Sequence, residues 1–258
     1  MILRLAESPR EVAACQRLRY QVFYEELGAT PVGDMAERRM DGDRFDDICD
    51  HLVVVRRGSE LDESSICLVD GTLIGTYRLL RQEVAEAHGG FYTQGEFDVA
   101  PLIAAHRQFR FLELGRSCVL KPFRTKPVVE LLWQGIWNYV RTHDMLVMLG
   151  CASLEGTDPQ EHALSLSFLA EVAAPPEWTV RALPDHRIEM HRIPRQEIDP
   201  KQALKQLPPL IKGYLRLGGY IGDGAVIDPQ FNTIDVLIIL PVSAINPRYF
   251  SHFGSPSG

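Results

Sequence analysis

An α/β fold, with a mixed sheet covered by helices, is predicted by three observations. Segments with helical spacing alternate with short β-branched runs along the 258 residues. Met145–Ala152 (MLVMLGCA) is a continuous apolar run of the kind that forms a strand buried on both faces. The order helix, several strands, helix, strand, helix, strand calls for a parallel portion in the sheet.

The elements follow in order. Ser8 and Pro9 read as an N-cap and a first-turn proline, and Val12, Cys15, Leu18, Val22 and Phe23 continue at helical spacing towards Leu27-Gly28. Residues 29–50 are polar and rich in Asp, Gly and Arg, which predicts a long functional loop. His51–Arg57 is a β-branched strand. Ile66–Val69 and Leu73–Leu80 form a hairpin with Asp70-Gly71 at its turn. Phe111–Leu120 is a further strand, followed by a basic loop between Pro122 and Pro127 and an amphipathic helix over Val128–Arg141. After the Met145 strand, residues 158–171 read as a helix capped by Asp158. Residues 173–200 are proline-rich and read as an insertion carrying one or two strands. Ala203–Leu217 is helical with a break at Pro208-Pro209, and Asp235–Val242 closes the core as a strand. The whole chain, 1–258, is read as a single domain.

Composition excludes several classes. A formal net charge of -7 argues against nucleic acid as a partner. No apolar run reaches the roughly 18–20 residues that span a bilayer, and the first residues do not form a signal peptide, so the expected location is cytoplasmic. Five scattered cysteines without a C-x-x-C, and histidines without metal spacing, predict neither a disulfide framework nor a metal site.

Four constellations fall in one order. Arg19 and Phe23 share a helix face; Asp43 and Asp46 lie in GDRFDD; Arg78 lies in the strand GTYRLL; Glu113 and Arg116 lie in ELGRS. In a regular strand Glu113 and Arg116 point to opposite faces, unless Gly115 marks a bulge. This arrangement resembles the acyl-homoserine-lactone synthases, which carry Arg and Phe four apart, Asp-x-x-Asp, an Arg-Leu-Leu strand and Glu-x-x-Arg. The tryptophan those enzymes place after the Arg/Phe pair is replaced here by LGATPVG. A closer resemblance spans nearly the whole chain. LRYQVFYEELG, GTYRLLR, GGFYTQGEFD, LELGRSCV, GCASLEG and the stretch Leu207–Phe253 look like the ornithine Nα-acyltransferase family.

That resemblance implies a GNAT fold with a C-terminal extension. It implies transfer of a 3-hydroxyacyl group from acyl carrier protein to the α-amine of ornithine, giving lyso-ornithine lipid. No cofactor is expected; the acyl-carrier thioester is a co-substrate. The alternatives are a lactone-forming synthase using S-adenosylmethionine, glycine or another amino acid as acceptor, and a carrier- or lipid-binding module without catalysis. A lipid product is compatible with peripheral contact at the inner membrane.

The chemistry assigns expected roles. An amine attacks a thioester only when unprotonated, so a carboxylate base is needed, and Glu113 is the candidate, with Arg116 beside it in sequence. The resemblance to the GNAT fold implies a backbone N–H near Ser117 to Leu120 at the oxyanion, with Ser117 and Val119 against the donor. The loop Lys121-Pro-Phe-Arg-Thr-Lys-Pro127 has no glycine and two prolines. Its cations Lys121, Arg124 and Lys126 suit one pantetheine phosphate and an acidic carrier better than a pyrophosphate. Asp43 and Asp46 are candidates for the amines of the acceptor, Arg19 or Arg78 for its carboxylate, and Phe23 for its pocket. Phe91, Tyr92 and Phe97, within residues 81–97, are candidate walls of an acyl tunnel or ordinary core.

Overall fold

The computed structural model describes residues 1–58 and 66–245. In chain order the elements are β1 (Ile2–Leu5), α1 (Pro9–Tyr20) running into a π-helical turn (Gln21–Glu26), α2 (Met35–Arg38), β2 (Asp50–Arg56), β3 (Cys67–Leu68), β4 (Gly71–Arg81), α3 (Gln82–Ala87), α4 (Ala100–Ala105), β5 (Phe111–Val119), α5 (Lys126–Thr142), β6 (Val147–Glu155), α6 (Ala163–Glu171), β7 (Arg187–Ile188), α7 (Pro200–Gln206), α8 (Pro209–Leu217), β8 (Tyr220–Asp228) and β9 (Thr233–Pro241). They form two compact units, one of residues 1–89 and 114–144, the other of residues 90–113 and 145 onwards.

In the first unit the strand order is β1-β2-β4-β5, with β3 on β4. β1 pairs antiparallel with β2 (Ile2 opposite Val55), and β2 with β4 (Asp50 opposite Leu79). Side chains alternate faces along a strand, so each face of β2 takes a helix. Val53 and Val55 pack with Ala14, Cys15 and Leu18 of α1, and with Cys118 of β5. Leu52 faces α5, where Gly135 lets the backbone approach: a Cβ there would lie 2.6 Å from Leu52 Cδ2 and 2.9 Å from Leu3 Cδ1. The Ser8 hydroxyl caps α1 by accepting the N–H of Glu11.

In the second unit β5 begins parallel to β6, with Phe111–Glu113 opposite Val147–Leu149. β6 and β9 pair antiparallel along their whole length, from Val147 opposite Pro241 to Glu155 opposite Thr233. β8 flanks β9, and β7 flanks β8. The mixed α/β sheet expected from the element order is present.

Several local expectations are corrected. The hairpin turn is Val69-Asp70, because Leu68 pairs with Gly71. The helix read from residue 158 begins at Ala163; the Asp158 carboxylate instead accepts Gln160 N–H at 2.8 Å and holds a turn. The helix after Ala203 divides into α7 and α8 around Pro208, and α7 starts earlier, at Pro200 behind its cap Asp199. Residues 173–200 carry one short strand and isolated bridges, Arg181 with Asp223 and Phe97 with Ala182 among them. The stretch Leu207–Phe253 runs beyond the described residues from position 246.

Of the thiols, Cys15 and Cys118 are buried, Cys49 and Cys151 partly so, and Cys67 on β3 is exposed.

Candidate active site

The first unit holds a compact ionic network. Arg19, on the buried face of α1, places Nε 2.8 Å from Asp41 Oδ2 and donates from Nη2 to Asp46 Oδ2 at 2.8 Å and to the Asp41 carbonyl. Arg78, on β4, donates from Nη1 to Asp43 Oδ1 at 2.7 Å and to Asp46 Oδ1 at 3.3 Å. Arg116, on β5, reaches Asp41 Oδ2 from Nε and Asp43 Oδ2 from Nη2, each at 3.3 Å. Tyr24 donates to Asp41 Oδ1 at 3.1 Å, and Gln16 to Asp46 Oδ2 at 3.0 Å. Asp43 also accepts the N–H of Phe45 at 2.8 Å. Three guanidinium groups thus meet three carboxylates, and the network carries little net charge.

Burial sets its chemistry. It pulls against the charged form of Asp46, but Arg19, the hydrogen bond from Arg19 and then Arg78 outweigh it and hold the carboxyl well below the usual aspartate range. His51 sits opposite Arg78 on β2, with Nε2 3.0 Å from the Asp46 carbonyl. Burial first, and the cations of Arg19 and Arg78 besides, lower its pKa, so the imidazole is neutral in the folded chain.

The network gathers Arg19, Asp43, Asp46, Arg78 and Arg116 from distant parts of the sequence. It also contains four groups that pattern did not single out: Asp41, Tyr24, Gln16 and His51. Asp41 lies two residues before Asp43 in the same acidic loop, and that proximity was its only signal. Arg19, Asp41 and Asp46 have side chains only 1–2% exposed, against 11% for Arg116 and 22% for Asp43. The solvent-facing part of the network is therefore Asp43 and Arg116. Phe23 lies on the π-helical turn and packs, half-buried, against the core between α1 and β2.

Beyond the far end of β5 the loop of residues 121–127 is largely closed on itself. Leu120 N–H donates to the Ile74 carbonyl at 3.0 Å, which removes it from the oxyanion candidates. The N–H groups of Phe123, Arg124 and Thr125 donate to carbonyls within the loop. Arg124 forks Glu26 at 2.6 and 2.8 Å and donates to the Val119 carbonyl at 2.9 Å. Lys126 lies 3.4 Å from Glu130, and Lys121 is exposed.

The second unit holds Glu113. The carboxylate, buried in the core, accepts the N–H of Tyr92 on Oε2 at 3.0 Å and that of Thr93 on Oε1 at 2.7 Å. Both donors belong to a 3-10 turn, Tyr92–Gly95, which follows two glycines with positive φ, Gly89 and Gly90. Phe91 and Phe97 are core side chains, 3% and 0% exposed. Nearby, Cys151 donates to Glu96 Oε2 at 3.2 Å. Ligand atoms of Glu96, Cys151 and Asp235 lie within 4.8 Å of one another. Burial first, then the charges of Glu96 and Asp235, push the Cys151 thiol far up, which opposes a thiolate nucleophile. Burial likewise raises the Cys118 thiol.

Glu113 and Arg116 are separated along β5 by a break in its regularity. The left-handed residue is Arg116 itself, with φ 51°, and not the glycine before it.

Comparison with known proteins places this fold in a class. Residues 18–134 match the family described as Acetyltransferase (GNAT) domain. A solved structure, the N-acyl amino acid synthase FeeM from uncultured soil microbes, superposes with a TM-score of 0.51 at 12% identity over 96% of each chain. The chain is a GNAT-fold acyltransferase. It is 50% identical to the L-ornithine N(alpha)-acyltransferase of Agrobacterium fabrum (strain C58), over 97% of this chain and 84% of that protein. It is 49% identical to that of Rhizobium meliloti (strain 1021), over 99% of this chain and 84% of that one. The chain belongs to the L-ornithine N(alpha)-acyltransferase family.

Proposed function

We propose that the chain transfers a 3-hydroxyacyl group from acyl carrier protein to the α-amine of ornithine, giving lyso-ornithine lipid. The observation that carries this reading is the full-length likeness to proteins named for ornithine Nα-acylation.

The amine nitrogen attacks the thioester carbonyl, the C–S bond breaks with its electron pair on sulfur, and the proton that the nitrogen sheds on becoming an amide passes to the departing thiolate. The α-ammonium must first lose a proton, and Glu113 receives it directly or through water. A positioned base contributes about 10²–10⁴-fold. The backbone N–H pair from Tyr92 and Thr93 holds the carboxylate in a fixed orientation. The tetrahedral oxyanion is received by a backbone N–H between Ser117 and Val119; loss of one such donor costs on the order of 3–4 kcal/mol in related chemistry. The thiol is a good leaving group, so no covalent intermediate on Cys118 is required.

The donor assignment rests on the loop after β5. Prolines and internal hydrogen bonds consume the amides that a pyrophosphate cradle uses, while Lys121, Arg124 and Lys126 remain as cations for a single phosphate and an acidic carrier. Asp43 is the network's most exposed carboxylate and the best placed to meet an ammonium group of the acceptor.

Thiol release from 3-hydroxyacyl carrier protein is the direct test, with ornithine, glycine and S-adenosylmethionine supplied separately. Release with ornithine, and its loss by roughly 10²-fold or more in Glu113→Gln at unchanged thermal midpoint, is expected. Normal turnover in Glu113→Gln would remove the base from the mechanism. Release with glycine alone would change the acceptor.

A further inference from the structure

Asp41 is wholly buried, so it touches no substrate, yet it joins the network's accessible cation to its buried one. Its Oδ1 accepts from Tyr24, and its Oδ2 faces both Arg19 Nε at 2.8 Å and Arg116 Nε at 3.3 Å. Arg116 stands apart in two ways. It is the most exposed arginine of the three, and its backbone is left-handed at φ 51°. A non-glycine residue there costs roughly 1–2 kcal/mol and persists only where its surroundings over-determine it. Here the surroundings are Asp41 and Asp43, which engage the guanidinium through Nε and Nη2.

We propose that Arg116 receives the α-carboxylate of the amino-acid acceptor, and that Asp41 is the positioning residue that aims it. The sequence pattern left Arg19 and Arg78 as candidates for that carboxylate. Their side chains are 1% and 4% exposed, against 11% for Arg116, so Arg116 is the guanidinium of the three that solvent reaches most. A guanidinium is a planar fork of five donors and can serve carboxylates on more than one edge. The left-handed turn at Arg116 redirects the strand at this residue, and the aspartates fix the guanidinium that it carries. Asp43 beside it places a negative charge next to the acceptor's positive end, so a zwitterion meets both signs.

The inference rests on the proposed acylation of ornithine, and the test separates the two. Acyl transfer is measured with ornithine and with 1,4-diaminobutane, the same diamine without the carboxylate. The wild-type chain is expected to favour ornithine in kcat/KM. In Arg116→Lys the KM for ornithine should rise roughly 10- to 100-fold, the worth of charge-assisted hydrogen bonds lost, and that for diaminobutane by much less, so that the preference for ornithine collapses. Asp41→Asn should act in the same direction, chiefly on ornithine. A merely structural role would lower both acceptors together, and that result overturns the proposal. Equal use of both acceptors by the wild type would overturn it without any variant, so a misfolded Asp41→Asn does not shield it. Transfer to neither amine would instead overturn the function from which the inference starts.

Discussion

A single histidine illustrates how the ionic network shapes stability. His51 is neutral when folded, because burial and its neighbours Arg19 and Arg78 oppose a proton, although Asp46 favours one. In the unfolded chain it titrates near its ordinary value of about 6.5. The unfolded state therefore binds more protons below that value, and stability falls as pH drops. Asp46 adds to this lower down. Its folded pKa is depressed, so its contribution is present above the ordinary aspartate value of about 3.9 and is lost as acid is added below it. Urea midpoints measured from pH 8 to pH 3 should decline in two stages. In His51→Gln the decline between pH 7 and pH 5 should be reduced; an identical slope would mean that His51 is not its source. Asp46→Asn leaves Arg19 and Arg78 short of a counter-charge in the interior and should cost about 3–5 kcal/mol at neutral pH.

At the scale of elements, periodicity reported what was regular. The N-cap at Ser8, the β2 run, the hairpin and α5 were legible because capping, β-branching and turn chemistry act locally. β1 was not, since four residues with a central arginine show no period. β8 was hidden by Gly222 and Gly224, which interrupt the alternation where the strand bulges between Ile221 and Ala225. The π-helical turn after α1 has no sequence signal at this level, because it depends on what Tyr24 and Glu26 reach. Tyr24 meets Asp41, and Glu26 meets Arg124. Of the site, Arg19, Asp43, Asp46, Arg78 and Arg116 stood out as charged residues in a known order. Their mutual pairing is a property of the folded chain and could not be read from spacing. One packing prediction belongs here. Gly135 is a poor residue for a helix interior, yet Leu52 and Leu3 leave no space for a side chain. Gly135→Val should overpack the contact and destabilise the fold by roughly 1–3 kcal/mol in chemical denaturation.

For the molecule as a whole, the net charge of -7 bears on the proposed donor, because an acidic carrier would be repelled at long range. On that proposal the repulsion is offset locally, at Lys121, Arg124 and Lys126. Glu26 forks Arg124, whereas Lys121 and Lys126 are exposed lysines, the latter only 3.4 Å from Glu130 on the helix surface, so these two are the cations for charge reversal. Lys121→Glu with Lys126→Glu should raise the KM for acyl carrier protein several-fold at unchanged stability. The same acyl group on free 4′-phosphopantetheine should be used as before. An equal effect on both donors would place the lysines at the phosphate and not at the carrier. Among the described residues no helix is long and apolar enough to cross a membrane.

The exposed thiol on β3 bears on how such turnover can be followed. A colorimetric reagent that titrates newly liberated carrier sulfhydryls will also modify Cys67, giving a fast burst near one equivalent per chain before any acyl group moves. Cys15 and Cys118 should respond only on denaturation. Replacing Cys67 by serine would clear that background, and leaving it in place would offer a preferred attachment point for a fluorescent reporter on the β3–β4 hairpin.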